Sequence, residues 1–350
     1  MMHDGEVIAD VHRHQFAAGS GYLNTAAVGL PPRRAMTVIR RHLEDWEAGR
    51  CDPYAFDVDV DRARTAFARL VGCRSDHVAI ISAVSVASGL VASSLPDGAR
   101  VLCAEEDFTS VLFPFLVDDR LEVVTVPLDR LLDSVDHNID LVAVSAVQSA
   151  DGRVLDLDAL ASTADEYGAR TYVDVTQAAG WLPVETERFD VTACGGYKWL
   201  CAPRGTGFLT VADRCDWLVP RLAGWYAGDD PWTSIYRPPL RLAPDTRRYN
   251  LSPPWFDIAA AAESLEVLAV IGVADIGCYS IELANRFRSG LDLPPGNSAI
   301  VAVDTDRGDH LTKAAIAASS RAGKVRLSFY LYNSEDDADR AADILAGRSG

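Results

Sequence analysis

Apolar residues along this chain fall into short blocks whose spacing switches between helical and extended periods. Between Arg33 and Glu47, Met36, Ile39, Leu43 and Trp46 recur every three or four residues, which sets them on one face of an α-helix. Gly49 ends that pattern, and a second helix is expected from Val60 to Val71. Short, continuously apolar runs follow: HVAII (77–81), VLCA (101–104), VVTV (123–126), DLVAVSAV (140–147), RTYVDV (170–175), VTAC (191–194) and GFLTV (207–211). Runs of this kind separated by amphipathic helices predict an α/β fold whose mostly parallel sheet is covered on both faces. Ligands of such sheets gather at the carboxyl ends of the strands.

From Asp213 to Trp255 the periodicity gives way to a Pro-, Trp- and Tyr-rich stretch, expected to form a hinge and rim. Helices are predicted over Asp257 to Ile271 and Ala274 to Arg288. A strand follows at 298–304, a helix at 309–320, a strand at 324–329 and a last helix from Glu335. The expected division is a large domain over 24–245 and a smaller α+β domain built from 1–23 and 246–350. Lys and Arg total 33 against 50 for Asp and Glu, a formal charge of -17 that repels polyanions and makes nucleic acid and anionic membranes poor partners. The first residues lack the basic-then-apolar order of a leader, and no apolar run is long enough to span a bilayer. The cytoplasm is the expected compartment. Seven cysteines at irregular spacing, without a CxxC pair, read as reduced thiols rather than a disulfide or metal framework.

The candidate chemistry centres on Asp174, at the end of RTYVDV, and Lys198, in CGGYKWL. A lysine amine and a strand-end carboxylate are what pyridoxal 5'-phosphate chemistry requires. The amine condenses with the aldehyde, and the carboxylate keeps the pyridine nitrogen protonated so that the ring accepts electrons. Taken singly, such an Asp is more often a helix cap and such a Lys a solvated charge. No GxGxxG follows an early strand, so a Rossmann-type nucleotide binder has little support.

The text around the pair carries a resemblance. YVDVTQAAGWLPV followed by CGGYKWLCAPRGTGFL, with YLNTAAVGLPP (22–32), VSAVQSADGRVLDL (144–157) and VRLSFYLYNSEDDADR (325–340), resembles the class V aminotransferase group. That group includes cysteine desulfurases, kynureninases and isopenicillin N epimerase-like proteins. The resemblance implies the aspartate aminotransferase-like fold (PLP fold type I), pyridoxal 5'-phosphate on Lys198 opposite Asp174, a small amino-acid substrate, and a homodimer. It also implies that Gln177 bonds the phenolic oxygen and that Phe108 stacks on the ring, where relatives often have His. The segment from Ala83 to Ala87, through Ser85 and the backbone at Val86, would hold the phosphate. Ser149 and Gln148 would approach the ring or the substrate, or only cap a turn. Arg326 would fork onto the substrate α-carboxylate, helped by Asn24.

One departure stands out. Many relatives have Ser-x-His immediately before the lysine, whereas Gly195-Gly196-Tyr197 stands here. The phosphate must then gain other anchors, and Ser252, near the segment that in relatives crosses the dimer, is one candidate.

Cysteine desulfurases capture sulfur on a mobile cysteine shortly before the carboxylate-binding arginine, but this chain has no cysteine after Cys278. The segments DFTSVLFPF, VSAVQSADGR and YKWLCAPRG are most similar to the carbon–sulfur lyases of ergothioneine biosynthesis. That similarity implies β-elimination from hercynylcysteine sulfoxide to pyruvate, ammonia and a sulfenic acid that is reduced to the thiol. Another class V reaction, as in an aminotransferase or epimerase, or a non-catalytic cofactor-binding regulator are the alternatives. For the trimethylammonium group of such a substrate, Trp225 and Tyr226, near Asp229 and Asp230, are candidate aromatic contacts. The competing reading packs them into the hinge or a dimer contact.

Overall fold

The computed structural model describes residues 13–17 and 19–348. The first twelve residues, read above for a leader and assigned to the smaller domain, lie outside the described part. Seven of the apolar runs form one sheet: β1 (Val78–Ile81), β2 (Arg100–Ala104), β3 (Glu122–Val126), β4 (Leu141–Ser145), β5 (Arg170–Asp174), β6 (Val191–Gly195) and β7 (Gly207–Val211). Their spatial order is β1-β7-β6-β5-β4-β2-β3. The strands from β3 across to β6 pair in parallel, while β7 runs antiparallel to both β6 and β1.

Alternate residues of these strands feed two cores, as the pleat requires. Ile80, Leu102, Val142 and Val173 face α2 (Phe56–Leu70), α5 (Leu157–Tyr167) and α6 (Trp255–Ile271). Ala79, Val101, Ala143 and Tyr172 face α3 (Val84–Ser94) and α4 (Thr109–Leu116). Burial on both faces explains why the strands read as unbroken apolar runs rather than alternating ones.

The helix α6 was expected in the smaller domain, yet it packs on α2 and on α1 (Arg33–Glu47). Its Ala259–Ala262 run is wholly buried, and such small side chains allow close approach to the large layer. At Gly272 (φ +97) the chain turns by 82° into α7 (Val273–Gly290), so this apolar pair is a bent core element. Among the described residues no single helix is long and apolar enough to cross a membrane.

The smaller layer is a three-stranded antiparallel sheet in the order β8-β10-β9, from β8 (Ile300–Val303), β9 (Ser319–Arg321) and β10 (Lys324–Ser328). It packs on α7 and α9 (Glu335–Ala346) through Leu283, Phe287, Val301, Leu327 and Ala341. The helix expected over 309–320 is corrected here. It ends at Lys313 as α8 (Gly308–Lys313), Ala315 takes a left-handed φ of 59°, and Ser319 to Arg321 becomes the β9 edge of a hairpin. Alanines favour a helix, but pairing with β10 supplies the tertiary contacts that decide the outcome.

One segment joins the two sheets. Leu23 and Ser328 are linked through the Ser328 N–H, Asn24 forms a parallel bridge with Ser328, and the Leu23 N–H donates to Ala317. A few residues on, the Gly29 N–H donates to the Tyr197 carbonyl at 2.9 Å. A Cβ on Gly29 would lie 1.9 Å from the Lys198 carbonyl oxygen. Backbone contact this close requires glycine. Gly29→Ala should therefore destabilise the fold by about 1–3 kcal/mol, measured by chemical denaturation; an unchanged midpoint would show that the contact is looser than described.

Candidate active site

At the carboxyl edge of the large sheet a cavity of about 360 Å³ opens between the two layers. Its floor comes from register. Asp174, last in β5, lies between Ser145 of β4 and Ala193 of β6, and Lys198 sits in the turn that follows β6. Asp174 and Lys198 are 5% and 6% exposed. Burial pushes the Asp174 carboxyl up, while the Thr176 N–H (2.8 Å) and the Lys198 charge hold it down. Burial drives the Lys198 amine down to about 8, with Arg326 and Arg321 acting in the same direction and Asp174 opposing them. A lysine lowered this far has a much larger neutral, nucleophilic fraction near neutral pH than an ordinary one.

The walls are built by segments of several further elements. Phe108, the residue before α4, is not core: it is 45% exposed, and the Lys198 Nζ lies 5.4 Å from its ring centroid. Ser82 to Ser85 lines the cavity at the start of α3. Ser85 is therefore inside the helix, and Ala83, the capping residue, leaves the first N–H groups without a side-chain acceptor, an arrangement suited to an anion. Gln177 donates to the Ala26 carbonyl (3.1 Å) and the Ser149 hydroxyl (3.0 Å) and accepts from the Trp199 indole (2.8 Å). Its amide must release one of those acceptors to donate to anything else. Ser149 also accepts from Arg326 through both its carbonyl and its hydroxyl.

Arg326 is 1% exposed, and its Nε and second terminal nitrogen have no partner. Burial, with Arg321, pushes this guanidinium down to about 10, so it remains charged at neutral pH. Orphaned donors on a buried cation call for an anion, such as a carboxylate.

Several expected residues are placed elsewhere. Tyr226 is buried and donates to Asp57 (2.7 Å); Trp232 donates to the other Asp57 oxygen (2.6 Å) and its ring packs on Trp225. Trp225 and Tyr226 thus serve the hinge and do not line the cavity of their own chain. Asn24 accepts from Ser319 (2.5 Å) away from the lining. Gln148 is buried with neither end of its amide partnered, and it too is outside the lining. Val86 faces an adjacent apolar pocket with Leu90, and Ser252 is exposed. Sequence reasoning missed Arg204 and Arg321, which line the cavity from the PRGTG turn and the β9 edge.

The class V aminotransferase family model matches residues 22–312, and the chain belongs to that family. Isopenicillin N epimerase of Streptomyces clavuligerus is 28% identical over 94% of each chain. The uncharacterized aminotransferase YcbU of Bacillus subtilis is 28% identical over 82% of this chain and 83% of its own. The fold matches the solved structure of C-DES with its PLP cofactor, at a TM-score of 0.85 and 19% identity over 95% and 98% of the two chains. The fold is that of the PLP-dependent enzymes, and pyridoxal 5'-phosphate is the cofactor. The cavity fits it, with a buried amine, a buried carboxylate, an aromatic face and a helix start around one space.

The lowered Lys198 predicts a pH profile. Aldehyde capture by cofactor-free protein should rise with pH and level off above about 8, because the neutral amine accumulates through that range. Stopped-flow absorbance measures this, and a midpoint near 10 would mean that burial does not lower the amine.

Proposed function

We propose that the protein is a carbon–sulfur lyase that eliminates the β-substituent of a cysteine S-conjugate, with hercynylcysteine sulfoxide as substrate. The observation that carries this reading is the composition of the cavity. Lys198 is its one amine, Arg326 offers an unpaired fork, and among the described residues no cysteine or histidine lines it. Sulfur capture as a persulfide needs a thiol at the reacting centre. Cys194 and Cys201, nearest in sequence to Lys198, are buried with thiols pushed well up, hence inert. The sequence likeness to ergothioneine-pathway lyases supplies the substrate.

When bound, pyridoxal phosphate supplies an electron sink for the charge left at the substrate α-carbon. Lys198 would hold its aldehyde carbon, Asp174 the ring-nitrogen proton, Phe108 one ring face, Gln177 the phenolic oxygen, and the start of α3 with Ser85 the phosphate. Arg326 orients the substrate by its carboxylate. Lys198, once free, removes the α-proton. The Cβ–S bond then breaks with its electron pair on sulfur, which leaves as a sulfenic acid after protonation. With one water, the remaining three carbons leave as pyruvate and ammonia. Two equivalents of an external thiol reduce the sulfenic acid to the thiol, leaving as their disulfide with one water.

The reading includes a homodimer in a reducing compartment, the cytoplasm. Phe113, Leu116 and Val117 form an exposed apolar face on and after α4 beside the cavity mouth, of a kind that marks protein contacts, and the described cysteines are all free thiols.

Purified protein given hercynylcysteine sulfoxide should release pyruvate and ammonia in equal amounts. An epimer, or amino transfer to a keto acid without pyruvate, would refute the lyase reading. Lys198→Ala should lose at least about 10³-fold in turnover, since attachment and proton transfer both go. Asp174→Asn should still bind cofactor but turn over at least about 10-fold more slowly, as an amide cannot keep the ring nitrogen protonated. Arg326→Lys should raise KM about 10-fold or more through loss of the planar fork; steady-state kinetics on each variant decide these.

A further inference from the structure

The geometry points to Arg204 as the side chain that binds the cofactor's phosphate, in place of the groups missing before Lys198. This inference rests on the cofactor and not on the reaction proposed above. In the sheet order, β7 lies between β1 and β6, and Gly207, its first residue, pairs with Ile81 on one side and Gly195 on the other. Three segments therefore leave this edge side by side: Ser82 to Ser85 beyond β1, Arg204 to Thr206 ahead of β7, and Gly196 to Lys198 beyond β6. Ser149, which holds Arg326, follows β4, two strands beyond β6. The cavity thus carries a cation at each end. Arg326 lies at the β4 end and Arg204 at the β1 end, with Asp174 and Lys198 between them.

The end that holds Arg204 is also the end where the helix α3 begins with no side-chain cap for its first N–H groups. A phosphate brings close to two negative charges, more than one helix start balances. Of the three residues directly before Lys198, only Tyr197 carries a side chain. Gly195 and Gly196 have none, and a Cβ on Gly196 would come 2.7 Å from the Thr206 hydroxyl. A Cβ on Gly195 would meet the Tyr197 ring at 3.1 Å, so that ring takes up the space a serine there would need.

Tyr197 instead provides a platform. The Arg204 guanidinium carbon lies 4.8 Å from its ring centroid, and both residues line the cavity. The contact commits one guanidinium donor to the Tyr197 hydroxyl, and the remaining N–H donors of the fork can meet an oxyanion. Arg204 forms no ion pair with a carboxylate among the described residues. It lies exposed at the rim, so replacing it leaves the core intact.

The test compares pyridoxal 5'-phosphate with pyridoxal, which lacks the phosphate. The full chain, stripped of cofactor, is titrated with each while the absorbance of the lysine-bound chromophore is followed. In Arg204→Gln the Kd for pyridoxal phosphate should rise about 10-fold or more, with the Kd for pyridoxal unchanged. Arg204→Lys should recover part of the loss. An unchanged Kd for pyridoxal phosphate in Arg204→Gln, or equal losses for both aldehydes, would overturn the assignment. Because the readout is binding, it stands or falls independently of whether the enzyme releases pyruvate.

Discussion

The site depends on keeping two opposite charges, Lys198 and Asp174, out of water in one cavity. Burial acts against both: alone, it would discharge the amine and protonate the carboxyl. Each partner opposes that tendency in the other, and the Thr176 N–H adds to the hold on Asp174. The balance leaves the amine, lowered to about 8, mostly protonated at neutral pH but with a neutral minority far larger than an ordinary lysine has. The sheet makes this possible. Register brings Asp174 to the strand end, and the buried strands around it exclude the water that would otherwise screen the pair.

The same edge sorts the other charges. Net charge over the chain is -17, yet the lining combines Lys198, Arg204, Arg321 and Arg326 with the single carboxylate of Asp174. A positive hollow in a negative protein selects small anions while the outer field turns large polyanions away. A second buried carboxyl, Asp107, accepts the Ser145 N–H and is pushed up to about 6 by burial. It sits beneath Phe108, fixing the turn from which that ring projects.

Strands of the large sheet were legible because burial on both faces writes them as unbroken apolar runs, and GFLTV matches β7 residue for residue. The helix from Arg33 to Glu47 also agrees at both ends, since its exposed face leaves a clean period. Where composition and pairing compete, pattern fails. AAIAASS reads as helix, but its end is a strand edge whose partner lies beyond a turn at Gly323. For the cavity, motif position located Lys198, Asp174, Gln177, Ser149, Phe108, Ser85 and Arg326 in its lining. Trp225 and Tyr226 lie outside that lining, and ring-rich text beside acids does not reveal that Tyr226 is bonded to Asp57. Arg204 had a signal in the PRGTG turn, but only the antiparallel insertion of β7 reveals that this turn stands next to α3.

The segment from Leu23 to Gly29 has a mechanical meaning. It is pinned to the smaller sheet through Ala317 and Ser328, and to the cavity floor through Gln177 and Tyr197. Any shift of the smaller sheet must either break those bonds or pull on the peptide beneath Lys198. The two layers therefore share one backbone brace that ends beside the lysine, and Arg326 of the smaller sheet is itself held to Ser149 of the larger layer, so the anion-facing and amine-bearing parts of the cavity rest on a common support.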